Sequence, residues 1–194
     1  MNKTACLERK TRETDIKMTV IREAETTGLE GTTGIGFFDH MLNTFAVHGG
    51  FFIRASVKGD LVVDGHHTVE DTGIVLGGIM KELCGDRSGI NRFGSAVVPM
   101  DDSLAEAVID ISGRPYLVYN VPVASPMIGG YDTQLTIEFF RALAFSMGAT
   151  LHINLRYGEN DHHKIESCFK AAARAISQAM TERSGAVLSA KGVL

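Results

Sequence analysis

The 194-residue sequence has no tryptophan, only three cysteines and no long apolar run. Cys6, Cys84 and Cys168 are far apart and none belongs to a CxxC pair, which argues against a disulfide framework and a thiolate zinc site. We therefore expect reduced, structural thiols. No stretch reaches the roughly eighteen apolar residues of a membrane span, and the charged start of the chain has no apolar signal-peptide core. These absences predict a cytoplasmic protein that does not enter a membrane.

The chain also lacks an excess of positive charge. Its 19 Lys and Arg residues stand against 23 Asp and Glu residues, a formal net charge of -4. No overall positive field would attract nucleic acid or anionic lipid, so any anion site must be local. Hydrophobic residues make up 44% of the chain and charged residues 22%, which is ordinary for a globular protein.

What the sequence does contain is an internal duplication. Aligned without gaps, the segment that starts at His40 lies over the segment that starts at Glu138, and FFIRASVKGD lies over ATLHINLRYG. With two residues dropped from the second loop, the motif HHxxE at residues 66–70 coincides with HHxxE at residues 162–166. Because the order of several elements repeats, the duplication decides the fold.

The two halves, about residues 1–88 and 89–194, are each predicted to read β-β-α-β-α. Apolar residues alternate at period two in DIKMTVIRE, LAEAVIDIS and RPYLVYNV, which predicts strands. Three-and-four spacing predicts module-bearing helices over residues 68–83 and 164–180. Before each comes a shorter helix, one capped by Asp39 and one ending at Met147, both followed by glycine. One half would leave a sheet face uncovered, so we expect a single α+β layered domain over residues 1–194.

The repeated HHxxE motif is a candidate metal-ligand module. On a helix, its first His and its Glu lie about 40° apart and its second His about 60° beyond, so three ligand-type side chains share one arc. That spacing lets His66 and Glu70 hold one ion while His67 points toward another, a division that the sequence leaves open. Imidazole and carboxylate without thiolate suit Mn, Fe, Ni or Zn. Paired histidines at a helix start can be merely solvated, but two copies in one frame favour a two-metal enzyme.

The alignment enlarges this set, because it pairs His40 with Glu138 on the preceding helices. The eight candidate ligands are His40, His66, His67, Glu70, Glu138, His162, His163 and Glu166. They would give two ions four protein ligands each, with positions left for a substrate if the ions are six-coordinate. Three other groups are less specific. His48 could face the same cleft or serve as a cap or core residue, His152 is interpreted as structural, and Asp101 with Asp102 could orient ligands or shape a turn.

Several long stretches carry a family resemblance: FFDHMLNTFAVHGGF, DGHHTVEDTGIVLG, PMDDSLAEAVIDISGRPYLVY and HHKIE with the FKAAARAI that follows it. In this order they resemble imidazoleglycerol-phosphate dehydratase, over nearly the whole chain. The resemblance implies dehydration of D-erythro-imidazole glycerol phosphate to imidazole acetol phosphate and water, in L-histidine biosynthesis. It also implies a fold like domain 2 of ribosomal protein S5, two Mn²⁺ ions that bind the substrate imidazole, and a homo-oligomer of twenty-four subunits with sites at the subunit interfaces.

The same resemblance assigns roles to residues of this chain. The eight candidates match the metal ligands, with Glu138 standing where some members have His. Glu13 matches the acidic residue implicated in proton transfer. Arg92, Arg114, Ser189 and Lys191 match the substrate-phosphate contacts, and His48 is a further candidate contact. Asn43 and Thr44 stand where some members have Asp-Gln, so a contact made by that glutamine is not expected here.

Two other functions use the same features. A two-metal hydrolase would direct a metal-bound hydroxide at a phosphate ester, and a metal-storing or metal-assembled shell protein would perform no catalysis. Release of inorganic phosphate would favour the hydrolase. Metal-driven assembly without either product would favour the shell protein.

Overall fold

The structure is a computed structural model that describes residues 3–184 and 188–189. The first half contains β1 (Thr4–Lys10), β2 (Thr14–Arg22), β3 (Gly28–Thr32), α1 (Gly36–Gly49), β4 (Phe51–Gly59) and α2 (His66–Cys84). The second half contains β5 (Phe93–Met100), β6 (Ser103–Asp110), β7 (Tyr116–Asn120), the short strands β8 (Met127–Ile128) and β9 (Tyr131–Asp132), α3 (Leu135–Met147), β10 (Thr150–Tyr157) and α4 (Asp161–Ala179). The predicted α+β repeat is confirmed. Before its first helix, the first half has one more strand than the sequence indicated and the second half has three more, because the short hairpin of β8 and β9 is added there.

The two halves build sheets of the same topology. Their strand orders are β1-β2-β4-β3 and β5-β6-β10-β7. In both, the first three strands pair antiparallel and the last strand is parallel to its neighbour. In β2, Ile16, Met18 and Val20 are fully buried while Asp15 and Lys17 are exposed. The period-two pattern therefore marks the face of the sheet that packs on the helices.

The four helices lie between the two sheets and pack across the halves. Helix α2 covers β1 and β2 and contacts α3, whereas α4 covers β5 and β6 and contacts α1. The buried apolar residues form one continuous cluster. At its centre the Phe169 ring lies 5.2 Å from that of Phe139 and 4.7 Å from that of Phe140. Because α1 packs on α4 and α3 packs on α2, each metal-ligand module lies beside a helix of the other half.

Two glycines allow α2 and α3 to approach closely. A Cβ atom on Gly73 would lie 2.7 Å from the Phe139 carbonyl oxygen, and one on Gly77 would lie 2.4 Å from the Leu143 carbonyl oxygen. Since both neighbours are backbone atoms, no side-chain rotation can relieve the overlap. The spacing of these helices therefore requires glycine at both positions.

The helix starts differ from the prediction in one respect that concerns the site. Helix α1 begins at Gly36, so the expected cap by Asp39 is wrong. The Asp39 carboxylate lies in the first turn and accepts hydrogen bonds from Thr32 Oγ1, Thr33 Oγ1 and the Thr33 N–H, which fixes the preceding loop. Helices α2 and α4 begin at His66 and Asp161, earlier than predicted, so both HHxxE modules lie at the start of a helix.

The other helix ends are defined by a side-chain cap that the sequence analysis did not identify and by glycines that it did. Asn160 caps α4 by accepting hydrogen bonds from the N–H groups of His162 and His163. Gly50 and Gly148 end α1 and α3 in the left-handed region, with φ of 73° and 70°, as expected for glycine C-caps.

None of the helices in the described ranges combines the length and the apolar character that crossing a membrane requires.

All three cysteines are free thiols. Cys6 is exposed, whereas Cys84 and Cys168 are buried. Burial raises the pKa of Cys84 to about 11 and that of Cys168 to about 12. The two buried thiols therefore stay protonated and serve the core rather than chemistry.

Candidate active site

The closest group of potential metal ligands joins the two halves of the chain. His40 from α1 meets His162 and Glu166 from α4, and the three ligand atoms lie within 4.8 Å of one another. Nε2 of His162 is 3.1 Å and Nε2 of His40 is 3.5 Å from Glu166 Oε2. The packing of α1 on α4 creates this group, because no local sequence spacing connects residue 40 to residue 166. Two imidazoles and one carboxylate whose ligand atoms converge in this way can hold a divalent ion.

Glu166 is ready to act as an anionic ligand. It is largely buried, with 9% of its side chain exposed, and Lys170 Nζ lies 2.8 Å from its Oε1. Burial opposes its ionisation, but the hydrogen bond and the charge of Lys170, with His40 and His162, outweigh burial and lower the pKa of Glu166. An edge of the Phe37 ring packs on His162 with the ring centroids 5.1 Å apart. These contacts restrict the orientation of both ligands.

The corresponding group in the other helix pair is looser. His66 Nε2 lies 3.6 Å from Glu70 Oε2 within the first turn of α2. Glu138 of α3 lines the same cavity of about 200 Å³ as His66, but its carboxylate contacts Arg141. Among the described residues, only the group of His40 brings three ligand atoms together. Glu138 therefore stays a predicted ligand.

The second histidine of each module is held by a different carboxylate. Nδ1 of His67 lies 3.0 and 3.1 Å from the two carboxylate oxygens of Asp60. Nδ1 of His163 lies 2.5 Å from Asp102 Oδ1. The hydrogen bond that His67 donates to Asp60 is the main cause of the raised pKa of His67, and the hydrogen bond that His163 donates to Asp102 is the main cause of the lowered pKa of Asp102. Sequence reasoning missed Asp60 and left the role of Asp102 open.

A further carboxylate lies beside the opposite ring nitrogen of each of these histidines. Glu13, in the turn between β1 and β2, has its Oε2 3.8 Å from His67 Nε2. Asp101, in the turn between β5 and β6, has its Oδ2 3.6 Å from His163 Nε2. Its φ of 45° is an uncommon backbone conformation for a residue other than glycine. The two hairpins thus present equivalent acids to the two modules.

Buried Asp71 fixes the hairpin that carries Glu13. Its Oδ2 accepts a 2.5 Å hydrogen bond from Thr14 Oγ1, and its Oδ1 lies 3.0 Å from Arg9 Nη2. Thr11 Oγ1 closes the turn by accepting hydrogen bonds from the N–H groups of Glu13 and Thr14. Because Asp71 follows Glu70 directly on α2, the hairpin and the module form one rigid unit.

The predicted phosphate contacts form a separate group. Arg92 donates from Nε and Nη2 to the Asp110 carboxylate and from Nη1 to the carbonyl oxygen of Leu188, the neighbour of Ser189. Nη2 of Arg114 lies 3.8 Å from the same Asp110 carboxylate, with 71% of the Arg114 side chain exposed. Two guanidinium groups therefore converge on Asp110, and Arg92 also contacts the segment that carries Ser189. Lys191, the fourth predicted contact, lies outside the described residues.

The predicted phosphate contacts lie far from the group formed by His40, His162 and Glu166 in the same chain. The Arg92 N–H donates to the carbonyl oxygen of Ala179, the last residue of α4, whereas Glu166 lies in its second turn. At a rise of about 1.5 Å per residue, the two points are about 20 Å apart along the helix. Within one chain, the structure does not bring these predicted site residues together.

The remaining two histidines lie apart from the modules. His48, near the end of α1, lines a cavity of about 520 Å³ with Ser95, Arg174 and Gln178. Partial burial and then the charges of Lys170 and Arg174 lower the pKa of His48, which favours its neutral form. His152 lies in the middle of β10, between its partners on β6 and β7.

Comparison with known sequences extends over the whole chain. A sequence model of the family described as imidazoleglycerol-phosphate dehydratase matches residues 33–176. The imidazoleglycerol-phosphate dehydratase of Pelobacter propionicus is 50% identical over 196 residues, with 100% of both chains covered. That of Limosilactobacillus fermentum is 48% identical over 194 residues, which cover 99% of this chain and 100% of the relative.

Solved structures agree with the sequence comparison. The crystal structure of imidazoleglycerol-phosphate dehydratase from Staphylococcus aureus superposes with a TM-score of 0.83 at 37% identity, covering 93% of this chain and 99% of that chain. The Pyrococcus furiosus enzyme gives a TM-score of 0.82 at 37% identity, covering 97% and 100%. The chain therefore belongs to the imidazoleglycerol-phosphate dehydratase family, a family of histidine biosynthesis.

Proposed function

We propose that this enzyme converts D-erythro-imidazole glycerol phosphate to imidazole acetol phosphate and water with the substrate imidazole bound by two Mn²⁺ ions. The observation that carries the proposal is the group of His40, His162 and Glu166, whose ligand atoms converge within 4.8 Å. Two imidazoles and a carboxylate, without thiolate, are a donor set that suits Mn²⁺. The residues present therefore fit the metal that the family resemblance implies.

Glu13 is the proposed proton-transfer residue. Formation of imidazole acetol phosphate requires hydroxide to leave the carbon attached to the imidazole ring and a proton to leave the next carbon, and that C–H proton is too weakly acidic for a carboxylate alone. Bound metal would favour loss of the ring N–H proton, so that the ring could supply the electrons that expel hydroxide and the neighbouring C–H would become acidic. The Glu13 carboxylate is 55% exposed at the tip of its hairpin and lies beside Nε2 of His67. It is therefore accessible to a substrate at the module, which a general base requires.

Arg92, Arg114, Ser189 and Lys191 are the proposed phosphate contacts. Exposed Arg114 can present two parallel N–H groups to phosphate oxygens. Arg92 donates hydrogen bonds to the Asp110 carboxylate and to the carbonyl oxygen of Leu188, which fixes the geometry of this surface. Binding the phosphate, remote from the reacting carbons, positions the other end of the substrate. His48 remains a candidate contact, because it shares its cavity with Arg174.

The separation of the two groups supports sites between subunits. The backbones of Glu166 and Arg92 are separated by roughly 20 Å along α4, and the guanidinium group of Arg92 is held by Asp110 and Leu188 rather than extended toward Glu166. The substrate has only a three-carbon chain between its ring and its phosphate, so a site that takes the two groups from different chains is favoured. This arrangement agrees with the twenty-four-subunit shell that the resemblance implies.

The deciding experiment measures product formation with metal removed and then restored. Purified protein treated with a chelator should lose dehydration of imidazole glycerol phosphate and regain it on addition of Mn²⁺, without release of inorganic phosphate. Release of phosphate would instead support a two-metal hydrolase. Metal-dependent assembly with neither product would support a storage or shell protein.

A Glu13→Gln variant tests the proton-transfer role. It should retain its metal content and assembly but lose most of its turnover, since general acid-base catalysis contributes typically about 10²- to 10⁴-fold. Glu8→Gln is the matched control, because Glu8 lies on the same hairpin and pairs with Lys17 at the surface. Normal turnover of a metal-loaded Glu13→Gln enzyme would exclude the assigned role.

A further inference from the structure

His67 and His163 each contact an aspartate through Nδ1, but the two aspartates occupy positions that the repeat does not relate. The alignment of the repeats places Asp60, which follows β4, opposite Gly158, which follows β10. Gly158 has no side chain to offer, and a Cβ atom there would lie 2.3 Å from Ser103 Oγ. In the second half, Asp102 from the β5–β6 turn takes over the contact with His163. The duplication alone does not account for a contact that each half makes with a different element.

We propose that Asp60 and Asp102 are positioning residues that fix the tautomer of His67 and His163. An ionised carboxylate can only accept, so each histidine must donate its Nδ1 proton, and in its neutral form it then carries a lone pair on Nε2. The proposal rests on the proposed metal-dependent function, because that lone pair is what a metal ion would bind. It assigns the ligand atom of both histidines, which neither the sequence nor the family comparison specifies.

The surroundings of the two rings support this assignment. Nε2 of His67 faces Glu13 and Nε2 of His163 faces Asp101, so in both modules this nitrogen points to the surface that carries the hairpin carboxylates. Each Asp–His pair is half-buried, with 26–33% of each side chain exposed. Partial exclusion of water strengthens the hydrogen bond and limits rotation of the ring. Both rings are therefore held before any ion binds.

Asp60 gives the cleaner test of the two. Asp102 also accepts hydrogen bonds from the N–H groups of Glu159 and Asn160, so its removal would disturb the loop before α4. Among the described residues, the hydrogen bonds that the Asp60 side chain makes are those to His67. A substitution at Asp60 therefore changes the support of one ligand and little else.

The experiment measures Mn²⁺ affinity of the full-length protein by chelator competition, together with thermal unfolding of the metal-free form. Loss of such an outer hydrogen bond typically weakens metal binding about 10- to 100-fold, so Asp60→Ala should show that loss at one of two sites. Asp60→Asn should fall between Asp60→Ala and wild type, because its carbonyl oxygen can still accept from Nδ1. Asp15→Ala, which removes an exposed carboxylate paired with Lys10, should bind metal like wild type.

Each outcome separates this inference from the proposed function. Wild-type affinity at both sites in the Asp60→Ala and Asp60→Asn variants would overturn the positioning role and leave the metal-dependent function intact. If the Mn²⁺ affinity falls and the thermal stability of the metal-free protein falls with it, Asp60 has a structural role, and this result would also overturn the positioning role. A wild-type protein that binds no Mn²⁺ would refute the proposed function itself. If Asp60→Ala does not fold, Asp60→Asn decides the question alone.

Discussion

Two inactive variants of this enzyme should restore activity when they assemble together. His162→Ala removes a predicted metal ligand, and Arg114→Ala removes an exposed predicted phosphate contact, each without opening the core. If one active site takes its α4 module from one chain and its arginines from another, a mixed oligomer contains sites with both parts intact. If one chain supplies both parts, every site in the mixture is defective.

The expected recovery follows from the geometry. Glu166 and the backbone of Arg92 are about 20 Å apart along α4, and the Arg92 guanidinium group is held by Asp110 and Leu188, so we expect a substrate with a three-carbon chain to contact these groups on different chains. In a random one-to-one mixture, the chance that the module and the arginine are both intact is about one half times one half, or about a quarter of wild-type activity. Each variant assembled alone should show almost none.

Co-expression of the two variants with different tags, followed by purification on both tags, gives the mixed oligomer for the dehydration assay. Wild type mixed with the double variant His162→Ala/Arg114→Ala provides a second measurement. It should give about a quarter of wild-type activity if two chains build the site and about half if one chain builds it. Mixed oligomers of verified composition with no recovered activity would refute the interface.

Two predictions concern stability. Gly77→Ala should lower the free energy of unfolding by about 1–3 kcal/mol in a denaturant titration, since its Cβ would overlap the Leu143 carbonyl oxygen; an unchanged midpoint would contradict the close packing. Asp161→Ala should remove about 1.5–3 kcal/mol, because the carboxylate accepts hydrogen bonds from Lys164 and the Ser125 N–H. Burial opposes ionisation of Asp161, but Lys164 and Ser125 lower its pKa from 3.8 to about 2. Its stabilisation should be complete above the ordinary pKa and disappear as the pH falls toward 2, so a difference between wild type and variant that persists below that pH would contradict the assignment.

Sequence patterns predicted the repeat and its principal elements because those elements are amphipathic. Strand β2 alternates strictly, and α2 and α4 have apolar residues at three-and-four spacing. The missed strands β1 and β5 follow a weaker pattern. β1 lies at the sheet edge and carries charges, and β5 contains Gly94, where a Cβ atom would lie 2.0 Å from the Ala175 carbonyl oxygen. A close approach to α4 selects that glycine, and local propensity cannot reveal it.

The candidate site likewise contains features that the sequence predicts and features that depend on tertiary packing. The ligand types and their repeat could be identified from spacing, but the partner of His40 depends on the packing of α1 against α4. The support of His163 comes from Asp102, 61 residues earlier, and no sequence periodicity connects them. Long-range contacts of this kind arise from tertiary packing, so the sequence left the role of Asp102 open and gave no indication of Asp60.

The departure from exact repetition has a chemical consequence. The α1–α4 group offers two imidazoles and one carboxylate, whereas the α2–α3 region offers one imidazole with Glu70 and Glu138. If both groups hold an ion as proposed, the second ion experiences one more negative charge, partly offset by Arg141 beside Glu138. The substrate is itself asymmetric, since its side chain lies nearer to one ring nitrogen than to the other. A duplicated chain in which one ligand differs between the two copies can therefore present the two nitrogens with ions in differently charged surroundings.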